Sequence, residues 1–472
     1  MQRTLSSETL SQVGKTVKLA GWIQTRRDHG KIIFFDLRDS GGILQLVCTP
    51  QEKEVYELAQ TLRSEWVVEV EGEVKERPDA MKNAELATGN VEVGVKKLVV
   101  LSEAKTPPFP IDTPGYDIDE ETRLKYRYLD LRRPRLQKNL KLRSEYVKAV
   151  REYLFSKGFL EIETPLLTKS TPEGSRDFVV PSRAQPGKFY ALPQSPQQYK
   201  QLLMVAGFEK YFQIARALRD EDPRADRGFE HSQVDLEMSF VGMEDVMNVV
   251  EEMTVFAVEK IGGNIAKKPF PVFTYEEAMK QFGADKFDLR TEQEKKEGIL
   301  SFAWVVSFPF FEKDKTGKWT FTHNPFSAPL NEEHEAMLLK GKDIEKIITS
   351  QYDLVCNGLE VAGGSLRTHK PNVLRAVFKT MGYKEQEIEE QFGHMLEAFS
   401  HGAPPHGGCA QGFERLLMAF LGEEYLREVQ AFPQTGQGRT SVMDAPSELS
   451  EAQLKELHLK VQNPSTKLRA GK

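Results

Sequence analysis

Between Arg219 and Arg227 the chain reads RDEDPRADR, with three arginines (Arg219, Arg224, Arg227) interleaved with four acids (Asp220, Glu221, Asp222, Asp226) and Pro223 stiffening the middle. A charged loop is most often a solvated turn. Alternation of this density has a narrower use, because guanidinium forks beside carboxylates suit a polyphosphate that arrives with Mg²⁺ and an adenine amine. A second set lies near the N-terminus, where Phe34 and Phe35 stand beside Arg26, Arg27 and Lys31. Single strands of nucleic acid are held by stacking bases on aromatics exposed between cations. Successive strand residues point to opposite faces, so one phenylalanine faces a core and the other is the stacking candidate.

Each set needs a scaffold. Residues 211–240 read as two strands of an antiparallel hairpin flanking the charged loop, from alternation before it and β-branched or aromatic residues after it. Residues 15–49 read as short strands separated by glycine turns at His29-Gly30 and Gly41-Gly42. A helix over 53–63 and strands at 66–74 and 91–101 follow. Five short strands with one helix predict a small OB-fold barrel of the oligonucleotide-binding type. The proline-rich KTPPFPIDTPG closes this domain at about residue 106. Next come nine basic residues between Arg123 and Arg143 against one acid, Asp130. Such a run is either a solvated helix face or a surface for phosphates. Helical spacing (Tyr146, Val147, Val150, Tyr153, Leu154) then stops at Gly158, and FLEIETPLL reads as a strand.

A chain of 472 residues is long enough for roughly two to four domains. No run of about 18 apolar residues exists and MQRTLSSETLSQVGK lacks an apolar signal core, so a cytoplasmic protein without a membrane segment is expected. Cys48, Cys356 and Cys409 lie far apart with no CxxC spacing, which excludes a zinc knuckle or a disulfide framework. The net charge of −6 argues against indiscriminate nucleic-acid binding while leaving room for local basic patches.

With these pieces together, the chain resembles the class II aminoacyl-tRNA synthetases, and within them the bacterial-type aspartyl enzymes. GFLEIETPLL, the arginine hairpin and GFERLL match the three class motifs; YRYLDLRR and QSPQQYKQLLM narrow the match to the aspartate, asparagine and lysine subgroup, and STPEGSRDF to the bacterial aspartate enzyme. The resemblance implies an α+β protein: an N-terminal anticodon-binding barrel (1–106), a hinge (107–140), a catalytic domain on a six-stranded antiparallel sheet (141–448) and a tail (449–472) with a short helix and a polar end. It implies a homodimer formed through motif one. It also implies an aspartate–tRNA ligase that joins L-aspartate to ATP with Mg²⁺ and passes the aspartyl group to the 3′ end of tRNA(Asp).

The site residues follow from that resemblance. Arg219 would bridge the aspartate α-carboxylate and the α-phosphate, Glu221 would accept from the adenine amine, and Arg415 would hold the γ-phosphate. Asp220, His231, Gly412, Phe413 and Glu414 complete the expected ATP set, and Gly407, Gly408 and Gly412 would clear the backbone before Arg415. Asp353 and Glu360 are the candidate Mg²⁺ ligands. Seven residues apart on a strand they would face opposite ways, so a bulge or bend must intervene if both take one ion. Lys200 and Arg367 would grip the substrate side-chain carboxylate, so asparagine would leave two buried cations unpaired and be rejected. Ser195, Gln197, Gln233 and Asp235 would surround the ammonium and backbone, His323 the α-carboxylate, and Glu173 would close over the substrate. Phe34 would stack a central anticodon base, with Gln45, Arg26 and Arg27 beside it.

Two departures and one feature bearing on tRNA choice stand out. The domain that bacterial members insert between motifs two and three is missing, since FGADKFDLR runs almost directly into GILSFAWVVSFPFF. The adenine platform carries His231 where Phe is common, and Gly228 replaces a nearby glutamine. His29, with Ala80 as the nearest match to a second position, points towards members that charge both tRNA(Asp) and tRNA(Asn). The alternatives are a strictly discriminating enzyme, an asparaginyl enzyme, and a silent tRNA-binding paralogue; the last would be expected to lose Arg219, Glu360 or Arg415.

Overall fold

The computed structural model describes residues 2–170 and 174–462, in two compact units, Met1–Ile118 and Asp119–Lys472. Glu173 and the polar end of the tail lie outside the described residues.

In the first unit β1 (Thr16–His29), β2 (Ile32–Asp39), β3 (Gly42–Cys48), β4 (Val67–Glu76) and β5 (Val91–Ser102) close into a barrel in the order β1-β2-β3-β5-β4, with α1 (Lys53–Thr61) packed on it. Alternation builds it: Val17, Leu19, Ile33, Phe35, Leu37, Leu44 and Leu46 point inward and are almost wholly buried. Phe35 is therefore the core residue of its pair, and half-buried Phe34 lies on the outer face.

The second unit opens with α2 (Glu120–Lys125), α3 (Arg127–Asp130) and α4 (Pro134–Ser156), whose first residue is a proline pre-set for that position. Residues 119–140, read from sequence as part of a hinge, belong to this unit. The basic run divides: Lys125, Lys138 and Lys141 are exposed, whereas Arg123, Arg127 and Arg133 are buried and face neither solvent nor phosphate. Asp130, with no exposed side-chain surface, accepts from Arg127 (2.7 Å), Arg133 (2.6 Å) and Arg123 (3.1 Å), and Arg123 also pairs with Glu428 at 2.9 Å. Arg127 donates to the carbonyls of Arg427, Gln430 and Ala431, so the segment is fastened to the chain some 300 residues later.

Then follow β6 (Leu160–Glu161), the small ribbon β7 (Val179–Pro181) and β8 (Phe189–Ala191), α5 (Gln197–Val205), β9 (Lys210–Leu218), β10 (Glu230–Ser239), α6 (Met243–Lys260), β11 (Val272–Thr274), α7 (Tyr275–Phe282), α8 (Glu292–Lys296) and β12 (Phe302–Val306). The rest comprises β13 (Phe311–Lys313), β14 (Trp319–Phe321), α9 (Glu332–Lys340), β15 (Gln351–Cys356), β16 (Leu359–Leu366), α10 (Pro371–Thr380), α11 (Glu385–Ser400), β17 (His406–Gln411), α12 (Phe413–Leu421) and α13 (Glu451–Glu456). The main sheet has eight strands in the order β11-β12-β15-β16-β17-β10-β9-β6. Its six central strands are antiparallel, as expected; short β11 and β6 add parallel pairings at the edges. FLEIETPLL contributes only the two residues of β6.

The two faces of the sheet differ sharply. Phe212, Val234, Leu236, Tyr352 and Leu354 belong to a core shared with Tyr146, Val150 and Leu154 of α4, Val250 and Met253 of α6, and Leu416 and Leu417 of α12. At 25 cal/mol per Å², each such fully buried side chain contributes about 1.5–3 kcal/mol. The alternate positions, Gln213, Gln233, Asp235, Glu237 and Asp353, are polar and face the other way. That face is the floor of the site.

Candidate active site

A cleft of about 690 Å³ opens over the polar face of the sheet. The hairpin of β9 and β10 delivers one wall, since Arg219 continues the odd-numbered face of β9 and its amide is tied to Phe229 O at 2.8 Å. Its Nε donates to Gln194 O at 3.2 Å. Glu221 accepts from Ser175 Oγ and from Arg227 at 3.2 Å. Across the cleft Arg415, in the first turn of α12, donates from Nη1 to Glu360 O at 3.2 Å and pairs with Asp226 at 3.4 Å. His231 lies between these cations. Burial, and then the charges of Arg219, Arg415 and Arg216, push its imidazole down to about 3, so it is neutral at physiological pH and presents an uncharged ring.

The floor holds a buried quartet. Lys200 Nζ lies 3.0 Å from Asp235 and 3.2 Å from Glu237, and Arg367 takes Glu237 with Nε at 2.9 Å. Arg367 also donates to Ser365 Oγ (2.7 Å) and Gly408 O (3.1 Å). Both cations are thus paired before any substrate arrives, which corrects the expectation that asparagine would strand them: the quartet is already neutral. Asp235 Oδ1 and Gln197 Nε2 are buried with no hydrogen-bond partner. Burial pushes the Asp235 carboxyl up to about 6, against the pull of Lys200. Gly408 serves this quartet rather than Arg415, because a Cβ there would lie 1.9 Å from Glu237 Oε2.

The second carboxylate pair is brought together by a hairpin turn, not within one strand: Asp353 lies on β15 and Glu360 on β16, where Glu360 pairs with Val355 and so shares the face of Asp353, two residues from Val355. Register then slips between Leu354↔Ala362 and Val355↔Glu360, leaving Val361 as an extra residue and setting Gly363 opposite Asp353. A Cβ on Gly363 would meet Asp353 Oδ1 at 3.1 Å and Glu360 Oε1 at 3.7 Å, so both carboxylates converge there. Burial, then the charge of Glu360, holds Asp353 well above the usual carboxylate range; Glu360 is lowered, where the Lys286 ammonium 2.7 Å away outweighs its own burial. His323 Nε2 is 3.5 Å from Asp353. Among the described residues no group of three His, Cys, Asp or Glu is placed to hold a metal ion, so the described residues offer at most the pair.

Most of the expected residues line the cleft: Ser195, Gln197, Lys200, Arg219, Glu221, His231, Gln233, Asp235, His323, Asp353, Glu360, Arg367, Gly412, Glu414 and Arg415. Two do not. Phe413 is buried in the core, stacked on Tyr146, and Asp220 is directed at Arg176, 3.5 Å away. Glu414 reaches the cleft but pairs with Arg143 of α4 at 2.6 Å. Sequence reasoning missed Ser175, Gln194, Glu237 and Lys286, and gave Asp226 no role beyond its place in the charged loop. Glu237 was within reach, because it continues the two-residue period of Gln233 and Asp235.

On the barrel, Phe34, Asp36, Arg27 and Gln45 share the outer face through the β1-β2-β3 register. Arg27 binds Asp36 through both Nη atoms (2.6 and 2.8 Å), and Gln45 donates to Glu92 at 2.9 Å. Arg26 is held by Asp28 and Gln60 O. This face therefore offers a ring and hydrogen-bonding edges rather than bare cations. His29 approaches Phe34 edge-on with centroids 6.1 Å apart, and Ala80 lies on an exposed turn, Asp79–Met81.

Comparison with known proteins agrees with this architecture. Residues 17–101 match the OB-fold nucleic acid binding domain, and residues 119–436 match the tRNA synthetases class II (D, K and N). The chain is 40% identical to an aspartate–tRNA(Asp/Asn) ligase of Rubrobacter xylanophilus over 95% of both proteins. It is also 40% identical to one of Syntrophomonas wolfei, over 98% of this chain and 100% of that one. These alignments run to 573 and 587 positions against 472 residues here, so the relatives carry residues with no counterpart in this chain. Among solved structures, asparaginyl-tRNA synthetase from Pyrococcus horikoshii complexed with asparaginyl-adenylate superposes with a TM-score of 0.74 at 26% identity, over 92% of this chain and 98% of that one. An aspartyl-tRNA synthetase from Entamoeba histolytica shares the fold at TM-score 0.73 and 23% identity, over 92% and 91% of the two chains. With the anticodon-type barrel, the two-faced sheet and the arginine-lined cleft in one chain, this protein belongs to the class II tRNA synthetases of the D, K and N group.

Proposed function

We propose that this enzyme activates L-aspartate with ATP and transfers the aspartyl group to the 3′ end of tRNA(Asp) and also of tRNA(Asn). One observation carries the reading: a single cleft sets two arginine forks, Arg219 and Arg415, beside a buried neutral quartet with one unpartnered carboxylate oxygen. Aspartate carboxylate attack on the α-phosphorus needs no protein nucleophile, only alignment and neutralisation of charge. Arg219 orients the attacking carboxylate and the α-phosphate, Arg415 the γ-phosphate, and Glu221 the adenine amine, while neutral His231 offers its ring to the base. At the floor the substrate ammonium supplies the donor that Asp235 Oδ1 lacks, and the side-chain carboxylate takes donors of Lys200 and Arg367. With its α-carboxylate at Arg219, aspartate thus brings one charge of each sign to the floor and leaves it neutral. Asparagine brings only the ammonium there, and that imbalance, not stranded cations, is the basis of selection.

Mg²⁺ fits the pair of Asp353 and Glu360, where a buried Asp353 Oδ2 that accepts no hydrogen bond lies 3.5 Å from His323 Nε2 in the lining of the cleft. Two carboxylates with substrate phosphates and water are the usual set for this ion, which would neutralise the polyphosphate. The exposed apolar side chains of Leu160, Leu166, Leu167 and Phe189 around motif one support a homodimer. No helix among the described residues is long and apolar enough to cross a membrane, in keeping with a cytoplasmic enzyme. Phe34 and Gln45 read the anticodon, with His29 admitting both tRNAs.

The test is charging with radiolabelled aspartate on transcripts of both tRNAs, with asparagine as the control amino acid. Aspartate accepted by both at comparable rates is the expected result. Charging of tRNA(Asp) alone would overturn the dual specificity, and charging with asparagine would overturn the role of Lys200.

Asp235 also fixes a pH dependence. Its carboxyl, raised to about 6, is ionised only above that value, so kcat/KM for aspartate should fall with unit slope as pH drops through about 6. The same shift makes ionisation of Asp235 a cost to folding, so the stability it contributes is complete at acid pH and is lost as pH rises to about 6. Asp235→Asn should abolish the acid limb; a limb unchanged in that variant would assign it elsewhere.

A further inference from the structure

Lys286 belongs to none of the expected sets, yet its ammonium lies in the cleft, 2.7 Å from Glu360 Oε2. Its backbone is fixed. The neighbouring Phe287 is buried and stacked on Phe282 with centroids 4.1 Å apart, Phe287 O accepts from Gly358 N at 3.1 Å, and Asp288 pairs with Arg290 at 2.8 Å. The side chain is about a third exposed and its tip is held against Glu360. A partly exposed ion pair adds little to stability, so its place against a candidate metal ligand is what gives it meaning.

A divalent cation held by Asp353 and Glu360 competes with the ammonium for the Glu360 carboxylate, which Lys286 takes through Oε2. Once the ion binds Asp353 and Glu360, repulsion drives the ammonium off, but the anchored backbone keeps it within one side-chain length. The anions that arrive with the ion are the phosphates, and a compact cation on a flexible stem suits them. Resting on the ATP-activation reading above, we propose that Lys286 is a tethered cation with two partners: it neutralises Glu360 in the free enzyme, and passes to the leaving pyrophosphate group when the metal takes Glu360.

Lys286→Met and Lys286→Arg test this without turnover. Without nucleotide, Mn²⁺ titrated into Lys286→Met and followed by the free-ion EPR signal should bind about tenfold tighter than to the native enzyme, because a competing charge is gone. Pyrophosphate binding in excess Mn²⁺, followed by calorimetry, should weaken about tenfold in Lys286→Met and recover most of that loss in Lys286→Arg, with aspartate binding unchanged. Native Mn²⁺ affinity in Lys286→Met would overturn the competition, and native pyrophosphate affinity would overturn the transfer. Neither titration involves tRNA or catalysis, so failure of the aspartate reading would show separately, in the charging assay.

Discussion

Arg219→Ala should lower kcat/KM for aspartate-dependent ATP–pyrophosphate exchange by about 10³–10⁵-fold while leaving the melting temperature unchanged. Charge builds on the non-bridging oxygens of the α-phosphate as the carboxylate attacks, and a preorganised donor in a water-poor cleft stabilises it more than it stabilises the ground state. Losses of that order follow removal of an arginine that neutralises a phosphoryl transition state. Arg219 is set for this task by the strand beneath it and by the Gln194 carbonyl that takes its Nε, so its fork is aimed before substrate arrives. Arg219→Lys keeps the charge but loses the planar fork, and most of the defect should persist. Exchange within tenfold of the native enzyme in Arg219→Ala would remove this arginine from the reaction path.

How far the site could be read from sequence depended on whether direction was encoded locally. Strand alternation carries direction, so it required one of Phe34 and Phe35 to face the core, and the structure makes that one Phe35; Gln233 and Asp235, expected from the resemblance, share the cleft face of β10 by the same alternation. The odd spacing of Asp353 and Glu360 called for a bulge or bend, and the structure supplies a hairpin turn between two strands where one strand was expected. A helix advances about 100° per residue, and a motif written as consecutive letters hides that rotation. Phe413 and Arg415 are two residues apart in GFER yet one lies in the core and the other in the cleft. What the sequence did not disclose are pairings across long separations. Arg123 with Glu428, Arg367 with Glu237 and Lys286 with Glu360 each join segments that no local pattern links, and each changed the meaning of a charge that had been read alone.

The basic run after the barrel shows the size of that change. Asp130→Ala should destabilise the catalytic unit by about 3–5 kcal/mol, because it leaves buried arginines without their shared carboxylate. Arg123, Arg127 and Arg133 all converge on its two oxygens, and Glu428 already serves Arg123 and Arg135. In calorimetry the transition of this unit should fall by roughly 5–10 °C, while the barrel, whose core is separate, keeps its own. Asp130→Asn should recover little, since its amide turns an NH₂ donor towards a guanidinium. Hydrogen bonds from Arg123 and Arg133 hold the Asp130 carboxyl below the usual range despite its burial. Its stabilisation is therefore present above the ordinary carboxylate value and is lost as pH falls through that lowered value. Native and Asp130→Ala proteins should accordingly converge in stability at strongly acid pH. An Asp130→Ala protein that melts within 2 °C of the native one at neutral pH would mean that the arginines find other partners or water once the carboxylate is gone, and that the run is held by the carbonyls of Arg427, Gln430 and Ala431 instead.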